Sequence, residues 1–252
     1  MGYVLKRNLA DKSNYGNVRD TAKIKWIVIH YTGNDGDKDE NNGKYFRNNK
    51  NLGASAHYFV DSDSVTQSVP DNYIAWSVGG SKYSNCATTG GGKCYGKCTN
   101  ANSISIELCD DVKNGTVYPS AATIANAIAL AKTLMKKYNI PASKVIRHFD
   151  VTGKSCPSYW CGTTAKDGKW KTEFWDKLSS SASASAFKPY IVKITADELN
   201  VRADAGTNYK VTAVVKKNEA FTITGEKMNG STKWLKLKSG KGYISSKYTK
   251  KV

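Results

Sequence analysis

A short segment of serine and alanine divides the chain and limits what each side of it can fold into. Ser179 to Ala186 reads S-S-S-A-S-A-S-A, which has no large apolar residue to bury and no apolar period. This composition is typical of a flexible linker, although alanine also favours the frayed end of a helix. We therefore predict a first domain over residues 1–178, a linker over 179–187 and a second domain over 188–252.

The first domain alternates between strand and helix patterns. Strand character is found in K-W-I-V-I-H-Y from Lys25, in two runs around D-S-D-S within 56–69, in S-I-S-I-E-L over 103–108, and at Val145 and Ile146. Helices are predicted over 123–138, from its apolar stripe with Ser120 as the cap, and around Trp175 in F-W-D-K-L. Because the two kinds of element alternate, the fold class is α/β, with helices packed on a sheet.

A long segment between Trp76 and Asn102 is rich in glycine, serine and cysteine and has no period, which predicts a functional or locally stapled loop. All six cysteines of the chain lie between residues 86 and 161. Three interpretations stay open: a disulfide such as Cys86–Cys94 or Cys86–Cys98, a second structural metal site, or free thiols. These three interpretations concern the five cysteines other than Cys156: Cys86, Cys94, Cys98, Cys109 and Cys161.

The second domain has no helix signal. Six short strand patterns are broken by Gly, Asn and Asp, which predicts a small all-β barrel. The chain carries a net charge of +17, and residues 187–252 alone hold 14 basic and 5 acidic side chains. This charge favours an anionic partner, although general solubility is the alternative. We find no nucleic-acid-binding motif, and no apolar run approaches the roughly 18 residues that span a bilayer.

Two histidines and one cysteine are placed where α/β proteins carry their sites. His30 ends an apolar strand, and His148 precedes Cys156 by eight residues across a glycine-containing loop. Two imidazoles and a thiolate can bind a catalytic zinc ion, although separate structural roles would explain the same residues. Glu107 alternates with apolar neighbours on its strand and can act as a general base or be an exposed strand residue. Lys154 can stabilise an oxyanion or be a solvated loop lysine.

Five segments occur in the order seen in one enzyme family. They are K-W-I-V-I-H-Y-T, G-A-S-A-H-Y-F-V-D, I-A-W-S-V-G, N-S-I-S-I-E-L and R-H-F-D-V-T-G-K-S-C-P. Residues 20 to 178 therefore resemble the zinc-dependent N-acetylmuramoyl-L-alanine amidases that share a fold with peptidoglycan recognition proteins. The resemblance implies a mixed central β-sheet with flanking helices and a zinc groove on one face.

The resemblance also implies roles for single residues. By motif position, His30, His148 and Cys156 are the zinc ligands, Glu107 is the catalytic carboxylate and Lys154 stabilises the oxyanion. Some members carry a tyrosine just before the histidine of the second strand. That position is Ala56 here, so Glu107 is expected to carry more of the catalytic work.

Two further residues of the first domain are predicted to contact substrate. His57 is not a ligand in the resemblance, and we interpret it as a structural histidine or part of the substrate-binding groove wall. Trp76 is expected to line the groove, with a core tryptophan as the alternative.

The second domain resembles a bacterial SH3-like domain through L-N-V-R near its start and G-Y-I near its end. Such domains accompany wall hydrolases, and tethering raises the enzyme concentration at the wall. Four aromatic residues are candidates for a wall-binding face: Tyr209, Trp234, Tyr243 and Tyr248. For Trp234, a position in the core is the alternative.

Together the two resemblances imply a hydrolase that cleaves the bond between N-acetylmuramic acid and L-alanine in the peptidoglycan of Gram-positive walls. Anionic wall polymers are expected as further partners, without nucleic acid or membrane insertion. A phage-type endolysin is the favoured interpretation, with a bacterial autolysin or a non-catalytic peptidoglycan receptor as alternatives. The amino-terminal sequence has no apolar signal region. We therefore expect synthesis in the host cytoplasm and action on the wall after release, or secretion by another route.

Overall fold

The computed structural model describes residues 3–179, 189–230 and 232–252. The chain forms two compact units, Met1–Ser181 and Ala182–Val252. Of the predicted linker only Ser179 is described, at the end of a helix, so the linker and the domain boundaries beside it stay predictions.

The first unit contains eight strands and six α-helical segments. The strands are β1 (Val4–Arg7), β2 (Tyr15–Val18), β3 (Trp26–Asp35), β4 (Tyr58–Val60), β5 (Ser64–Gln67), β6 (Tyr73–Ala75), β7 (Ser103–Asp110) and β8 (Val145–Arg147). The helices are α1 (Asp39–Asn48), α2 (Cys86–Thr89), α3 (Ala121–Tyr138), α4 (His148–Thr152), α5 (Thr164–Lys169) and α6 (Asp176–Ser179). A π-helical turn, Trp170–Trp175, joins the last two.

Six of these strands form one mixed sheet in the order β1-β5-β4-β7-β3-β8. The hairpin of β4 and β5 is antiparallel, whereas β4, β7, β3 and β8 run parallel to one another. The predicted α/β class with a mixed central sheet is confirmed. Strands β2 and β6 form a separate antiparallel pair.

Both faces of the central strand β3 are covered, which explains its continuous apolar run. Ile27 and Ile29 pack in the main core beneath α3 and the C-terminal helical segment. Trp26 and Val28 face the other way, into a smaller core that includes Val78 and the Cys98 thiol from the long loop. The loop predicted between Trp76 and Asn102 therefore covers one face of the sheet and contains the short helix α2.

Helix α3 begins at Ala121, two residues before the predicted start and directly after the predicted cap Ser120. The Ser120 side chain accepts a hydrogen bond from the Thr123 backbone N–H over 3.1 Å, which caps the helix. Loss of such a cap typically lowers stability by about 1 kcal/mol. Replacing Ser120 by alanine is therefore expected to lower the free energy of unfolding of the first unit by about 1 kcal/mol in urea titrations. Aspartate at the same position retains the acceptor, so equal losses in the two variants would contradict this role.

The second unit is a seven-stranded antiparallel sheet around one apolar core, in agreement with the predicted SH3-like fold. Its strands are β9 (Tyr190–Ile194), β10 (Glu198–Arg202), β11 (Val211–Lys216), β12 (Ala220–Asn229), β13 (Thr232–Leu237), β14 (Tyr243–Ser245) and β15 (Thr249–Lys251). The first six match the predicted strand patterns, and β15 was not predicted. Across the described residues of both units, no helix is long and apolar enough to cross a membrane.

Candidate metal centre and groove

Three neighbouring parallel strands bring the predicted site residues to one level of the sheet. His30 on β3 pairs in register with Glu107 on β7. On the other side of β3, Ile29 pairs with Arg147, the last residue of β8, so His148 follows beside His30. The carboxyl ends of parallel strands are where α/β proteins place ligands.

His30, His148 and Cys156 form a buried cluster. Their possible ligand atoms all lie within 4.8 Å of one another. The His30 Nδ1 and Cys156 Sγ atoms are 3.8 Å apart, and the two imidazole ring centroids are 4.8 Å apart. Cys156 reaches the cluster because α4 ends at Thr152 and the chain turns back after Gly153. The Phe149 N–H then donates to the Cys156 carbonyl over 2.9 Å.

The chemistry of this cluster fits a metal ion. Burial lowers the pKa of His30 well below its ordinary value and that of His148 to about 4, so both imidazoles are neutral at pH 7. The buried Nδ1 atom of His148 has no hydrogen-bond partner among the described residues. Burial raises the pKa of the Cys156 thiol, so its thiolate requires a nearby cation. Two neutral imidazoles and one thiol form a zinc-type donor set that leaves one coordination position for water.

Glu107 lies beside this cluster on the sheet face opposite Ile106 and Leu108, which are in the main core. Its Oε1 atom is 3.9 Å from His30 Nδ1, and its Oε2 atom is buried without a hydrogen-bond partner among the described residues. The side chain is 19% exposed. Burial raises the pKa of Glu107 to about 8, and the positive charge of Lys154 opposes that rise. This carboxyl can therefore exchange a proton near neutral pH.

A groove of about 800 Å³ opens beside the cluster. Apart from Gly53, which lies between α1 and β4, its lining comes from the long loop and from the segment that carries His148: Trp76, Ser77, Gly79, Gly80, Ser81, Lys82, Tyr83, Asn100, His148, Thr152 and Lys154. Lys154 is exposed, and its charge helps to lower the pKa of both His30 and His148. Trp76 lies in the groove wall as predicted, while its contact with substrate stays a prediction.

The long loop holds the helix that carries His148. Three backbone amides of the loop donate to carbonyls of α4: Tyr83 to Thr152 over 2.8 Å, Gly92 to Phe149 over 3.0 Å and Cys94 to Asp150 over 2.8 Å. Two of these bonds give partners to the Asp150 and Thr152 carbonyls at the end of the short helix, whereas the Phe149 carbonyl also accepts the Gly153 N–H over 2.9 Å. The loop thereby fixes the segment between the ligands His148 and Cys156.

Close contact between this loop and the ligand turn depends on Gly153. The residue has a φ of +87°, and a Cβ atom there would lie 2.3 Å from the Cys86 sulfur. The Cys86 thiol donates to the Thr152 carbonyl over 3.4 Å. A side chain at Gly153 would therefore displace the loop from the ligand turn.

His57 does not line the groove, so its predicted substrate-binding role is wrong. It is 1% exposed, and its Nε2 atom lies 2.9 Å from the Arg19 guanidinium. Its Nδ1 atom lies 3.1 Å from the Ser105 hydroxyl. These partners satisfy the ring inside the fold, which agrees with the alternative interpretation as a structural histidine.

The buried state of His57 predicts acid sensitivity. Burial, followed by the Arg19 charge, lowers its pKa from 6.5 to about 3. Between these values the unfolded chain binds a proton that the folded chain does not. Stability is therefore fully present above about pH 6.5 and falls by about 1.4 kcal/mol per pH unit as the pH decreases towards 3.

Replacing His57 by glutamine keeps a hydrogen-bond acceptor for Arg19 and removes the titrating group. We expect a slope shallower by about 1 kcal/mol per pH unit in the free energy of unfolding between pH 6 and pH 4. Urea titrations followed by tryptophan fluorescence measure this slope. His30 and His148 titrate in both proteins, so the difference isolates His57, and equal slopes would contradict the assignment.

The six cysteines are free thiols in the structure. Neither Cys86–Cys94 nor Cys86–Cys98 is bonded, so of the three predicted alternatives the structure agrees with free thiols. Cys98 is buried in the smaller core with Trp26 and Val28. The loop is therefore held by packing and backbone hydrogen bonds in place of a disulfide.

The four aromatic candidates of the second unit differ in exposure. Tyr209 is 39% exposed and Tyr248 is 49% exposed, whereas Tyr243 is half-buried. Trp234 is only 4% exposed, because its position in β13 points inward. The prediction that Trp234 belongs to a wall-binding face is therefore wrong, and the alternative prediction of a buried residue agrees with the structure.

Two residues that support the site were not predicted. Arg19 donates to the Ser103 carbonyl over 2.7 Å at the start of β7 and to the Asp71 carbonyl over 2.9 Å. The Asn100 side chain accepts hydrogen bonds from Ser77 and Val78 and so fixes one wall of the groove. Neither residue belongs to a motif, since most of their partners are backbone groups that any sequence supplies.

Both units of the chain are similar to known protein families. Residues 20–159 match the family model described as N-acetylmuramoyl-L-alanine amidase, and residues 197–250 match the bacterial SH3 domain model. The chain is 32% identical over 167 residues to the N-acetylmuramoyl-L-alanine amidase CwlL of Bacillus licheniformis, covering 63% of this chain and 42% of that protein. It is 28% identical over 238 residues to the amidase BlyA of Bacillus subtilis strain 168, covering 87% and 64%. The chain thus spans about half the length of these curated relatives.

Solved structures show the same fold. The structure of PlyL has a TM-score of 0.53 and 27% identity, covering 71% of this chain and 98% of that one. A mutant endolysin from Bacillus subtilis has a TM-score of 0.52 and 26% identity, covering 70% and 99%. Because the matching family model covers more than half of the residues, the chain belongs to the N-acetylmuramoyl-L-alanine amidase family.

Proposed function

We propose that the protein is a zinc-dependent amidase that hydrolyses the bond between N-acetylmuramic acid and L-alanine in peptidoglycan. The observation that carries this proposal is the buried cluster of His30, His148 and Cys156 beside the unpartnered carboxyl of Glu107. The amidase family model and the curated relatives named as amidases support the choice of bond. An endolysin role is supported by the likeness to a solved endolysin.

His30, His148 and Cys156 would hold the zinc ion. When bound, zinc lowers the pKa of a water molecule towards neutrality and polarises the scissile carbonyl. The three side chains are buried, and their possible ligand atoms lie within 4.8 Å of one another, so one ion could contact all three. The long loop keeps the turn from His148 to Cys156 in place through its bonds to α4.

Glu107 would move the proton in hydrolysis. The water oxygen attacks the amide carbon, and Glu107 accepts the water proton on its Oε2 atom, which has no hydrogen-bond partner among the described residues. The carbon–nitrogen bond then breaks, and the same proton passes to the departing nitrogen. The products are the lactyl carboxylic acid of the sugar, which releases the second water proton to become a carboxylate, and a free amino group on L-alanine.

Lys154 and Trp76 would position the substrate. The Lys154 ammonium is exposed at the groove and can stabilise the oxyanion that develops on the amide oxygen. Trp76 offers a flat apolar surface in the same wall. A groove of about 800 Å³ accommodates a ligand that extends on both sides of the scissile bond.

The second unit would hold the enzyme on the wall. Residues 197–250 match the bacterial SH3 domain model, and residues 187–252 carry 14 basic and 5 acidic side chains. Tyr209 and Tyr248 are exposed and Tyr243 is half-buried, which leaves these three aromatic residues for a binding face. Attachment would raise the local enzyme concentration at its substrate.

Digestion of purified Gram-positive cell walls tests the proposal. We expect new amino termini on alanine that disappear when a zinc chelator is present, without new reducing ends on the sugars. Zinc added back in excess of the chelator should restore the product. New reducing ends would instead indicate a glycosidase. Wall binding without any product would indicate a receptor, and either result would overturn the amidase proposal.

A further inference from the structure

A second concave surface lies on the first unit, away from the metal centre. This lysine hollow has a volume of about 430 Å³. Its lining consists of three lysines, two amides and two apolar residues: Lys25, Lys97, Lys144, Asn102, Asn139, Trp26 and Pro141. Nothing in the proposed hydrolysis uses these residues.

The three lysines come from three separate parts of the chain. Lys25 immediately precedes β3, Lys97 belongs to the long loop and Lys144 lies just before β8. Within the described part of the chain, none of the three ammonium groups forms an ion pair. Three positive charges therefore converge on one hollow without a carboxylate to neutralise them.

The floor of the hollow is apolar and held in place. The Trp26 indole belongs to the smaller core, and the Lys144 Nζ atom lies 3.8 Å from the centroid of its ring. Pro141 adds a second rigid apolar surface. Ammonium groups bind phosphate oxygens, and the exposed Pro141 ring can contact the carbon atoms of a sugar or polyol. The Trp26 indole is only 7% exposed and supports Lys144 from below. The Asn102 and Asn139 amides can donate hydrogen bonds to hydroxyl groups.

We propose that the lysine hollow binds a phosphodiester-linked polyol or sugar polymer of the cell wall. The choice of a wall polymer rests on the proposed amidase function, because the wall is where that enzyme acts. Nucleic acid shares the phosphodiester chemistry, but the small hollow offers no row of aromatic rings along which successive bases could stack. The proposal places an anion-binding site on the catalytic unit itself, separate from the basic second unit.

The hollow and the metal centre lie at different levels of the same strand, since Trp26 is the first residue of β3 and His30 is its fifth. Trp26 and His30 are four residues apart on β3, which corresponds to about 13 Å along the strand. The long loop contributes to both surfaces, with Trp76 in the groove and Lys97 in the hollow. A polymer bound in the hollow would therefore position the catalytic unit near the peptidoglycan chains that carry such polymers.

Lysine footprinting on the full chain tests this site without removing the second unit. The protein is acetylated with an N-hydroxysuccinimide ester, with and without soluble polyglycerol phosphate, and each lysine is quantified by mass spectrometry. We expect the labelling rates of Lys25, Lys97 and Lys144 to fall at least fivefold together. Three exposed lysines of the same unit that form no ion pair serve as internal controls and should change less than twofold: Lys50, Lys136 and Lys166.

A matched pair of triple variants completes the test. Changing Lys25, Lys97 and Lys144 to glutamine should weaken retention of the chain on immobilised polyglycerol phosphate at least threefold more than the same change at the control lysines. Equal protection of all six lysines, or equal weakening by both variants, would overturn the site. Protection by single-stranded DNA but not by polyglycerol phosphate would overturn the wall polymer as its ligand.

Amidase activity is measured separately on soluble muropeptide that carries no anionic polymer. Both triple variants should retain it, because none of the six lysines lies at the metal centre. If the unmodified chain does not hydrolyse this substrate, the proposed amidase function is refuted. If it hydrolyses the substrate but polyglycerol phosphate does not protect the three lysines, only the lysine hollow is refuted.

Discussion

Replacing Glu107 by glutamine is expected to lower kcat for amide hydrolysis roughly a hundred- to ten-thousandfold, the range for loss of a general acid–base group. Glutamine has nearly the same shape but cannot accept the water proton or return it to the leaving nitrogen. Glu107 lies 3.9 Å from His30 Nδ1 and is not one of the three clustered ligands, so the zinc content should stay unchanged. Steady-state kinetics on soluble muropeptide and metal analysis of the same sample measure both quantities.

Glu40 provides the control for this substitution. It lies on α1 at the surface, paired with Lys6, and its change to glutamine should alter kcat less than twofold. Activity within tenfold of the unmodified enzyme in the Glu107 variant would contradict the proton-transfer role. Loss of zinc together with activity would indicate instead that Glu107 holds the ligands in place.

Replacing Cys156 by serine is expected to weaken zinc binding roughly a hundredfold or more and to remove activity in proportion. Loss of a residue that merely orients a ligand weakens metal binding about 10- to 100-fold, so loss of a ligand itself should have a larger effect. A serine hydroxyl is a poor zinc ligand at neutral pH, whereas the thiol is deprotonated when the metal binds. Competition with a chromogenic chelator measures the zinc affinity directly.

Cys161 is the matched control for Cys156. It is also buried, lies five residues further along the chain and donates from its thiol to the Pro157 carbonyl over 3.1 Å. Serine at this position can make the same hydrogen bond, so zinc affinity should change less than threefold. If both variants lost zinc equally, local unfolding would explain the result and Cys156 would not be established as a ligand.

Part of the metal centre could be predicted because His30 and Glu107 lie on strands with clear apolar patterns. The β-branched run before His30 predicts a buried strand, and the alternation around Glu107 places that carboxylate away from the main core. Parallel pairing then brings Glu107, His30 and His148 side by side, as the register shows. The family resemblance supplied the choice of His148 and Cys156, which spacing alone left open.

Other parts of the molecule could not be predicted because they depend on partners distant in sequence. The role of His57 is decided by Arg19, 38 residues earlier, whose side chain mainly binds backbone carbonyls. The groove walls follow from Asn100, which binds backbone amides of the loop. Trp234 shows the same limit in the second unit, since Trp234 and its neighbour Leu235 are both buried although they point to opposite faces of β13.

The hydrogen bonds between the long loop and α4 couple the opening of that loop to the binding of a metal ion. Opening of the loop would break the hydrogen bonds from Tyr83, Gly92 and Cys94 and release the turn that carries two of the three ligands. A metal ion that binds only the closed form therefore favours closure, and closure favours binding by the same factor. The amide protons of these three residues should consequently exchange with solvent more slowly as zinc is added. The apparent affinity for zinc therefore includes the free energy of closing a loop that supplies none of the three proposed ligands.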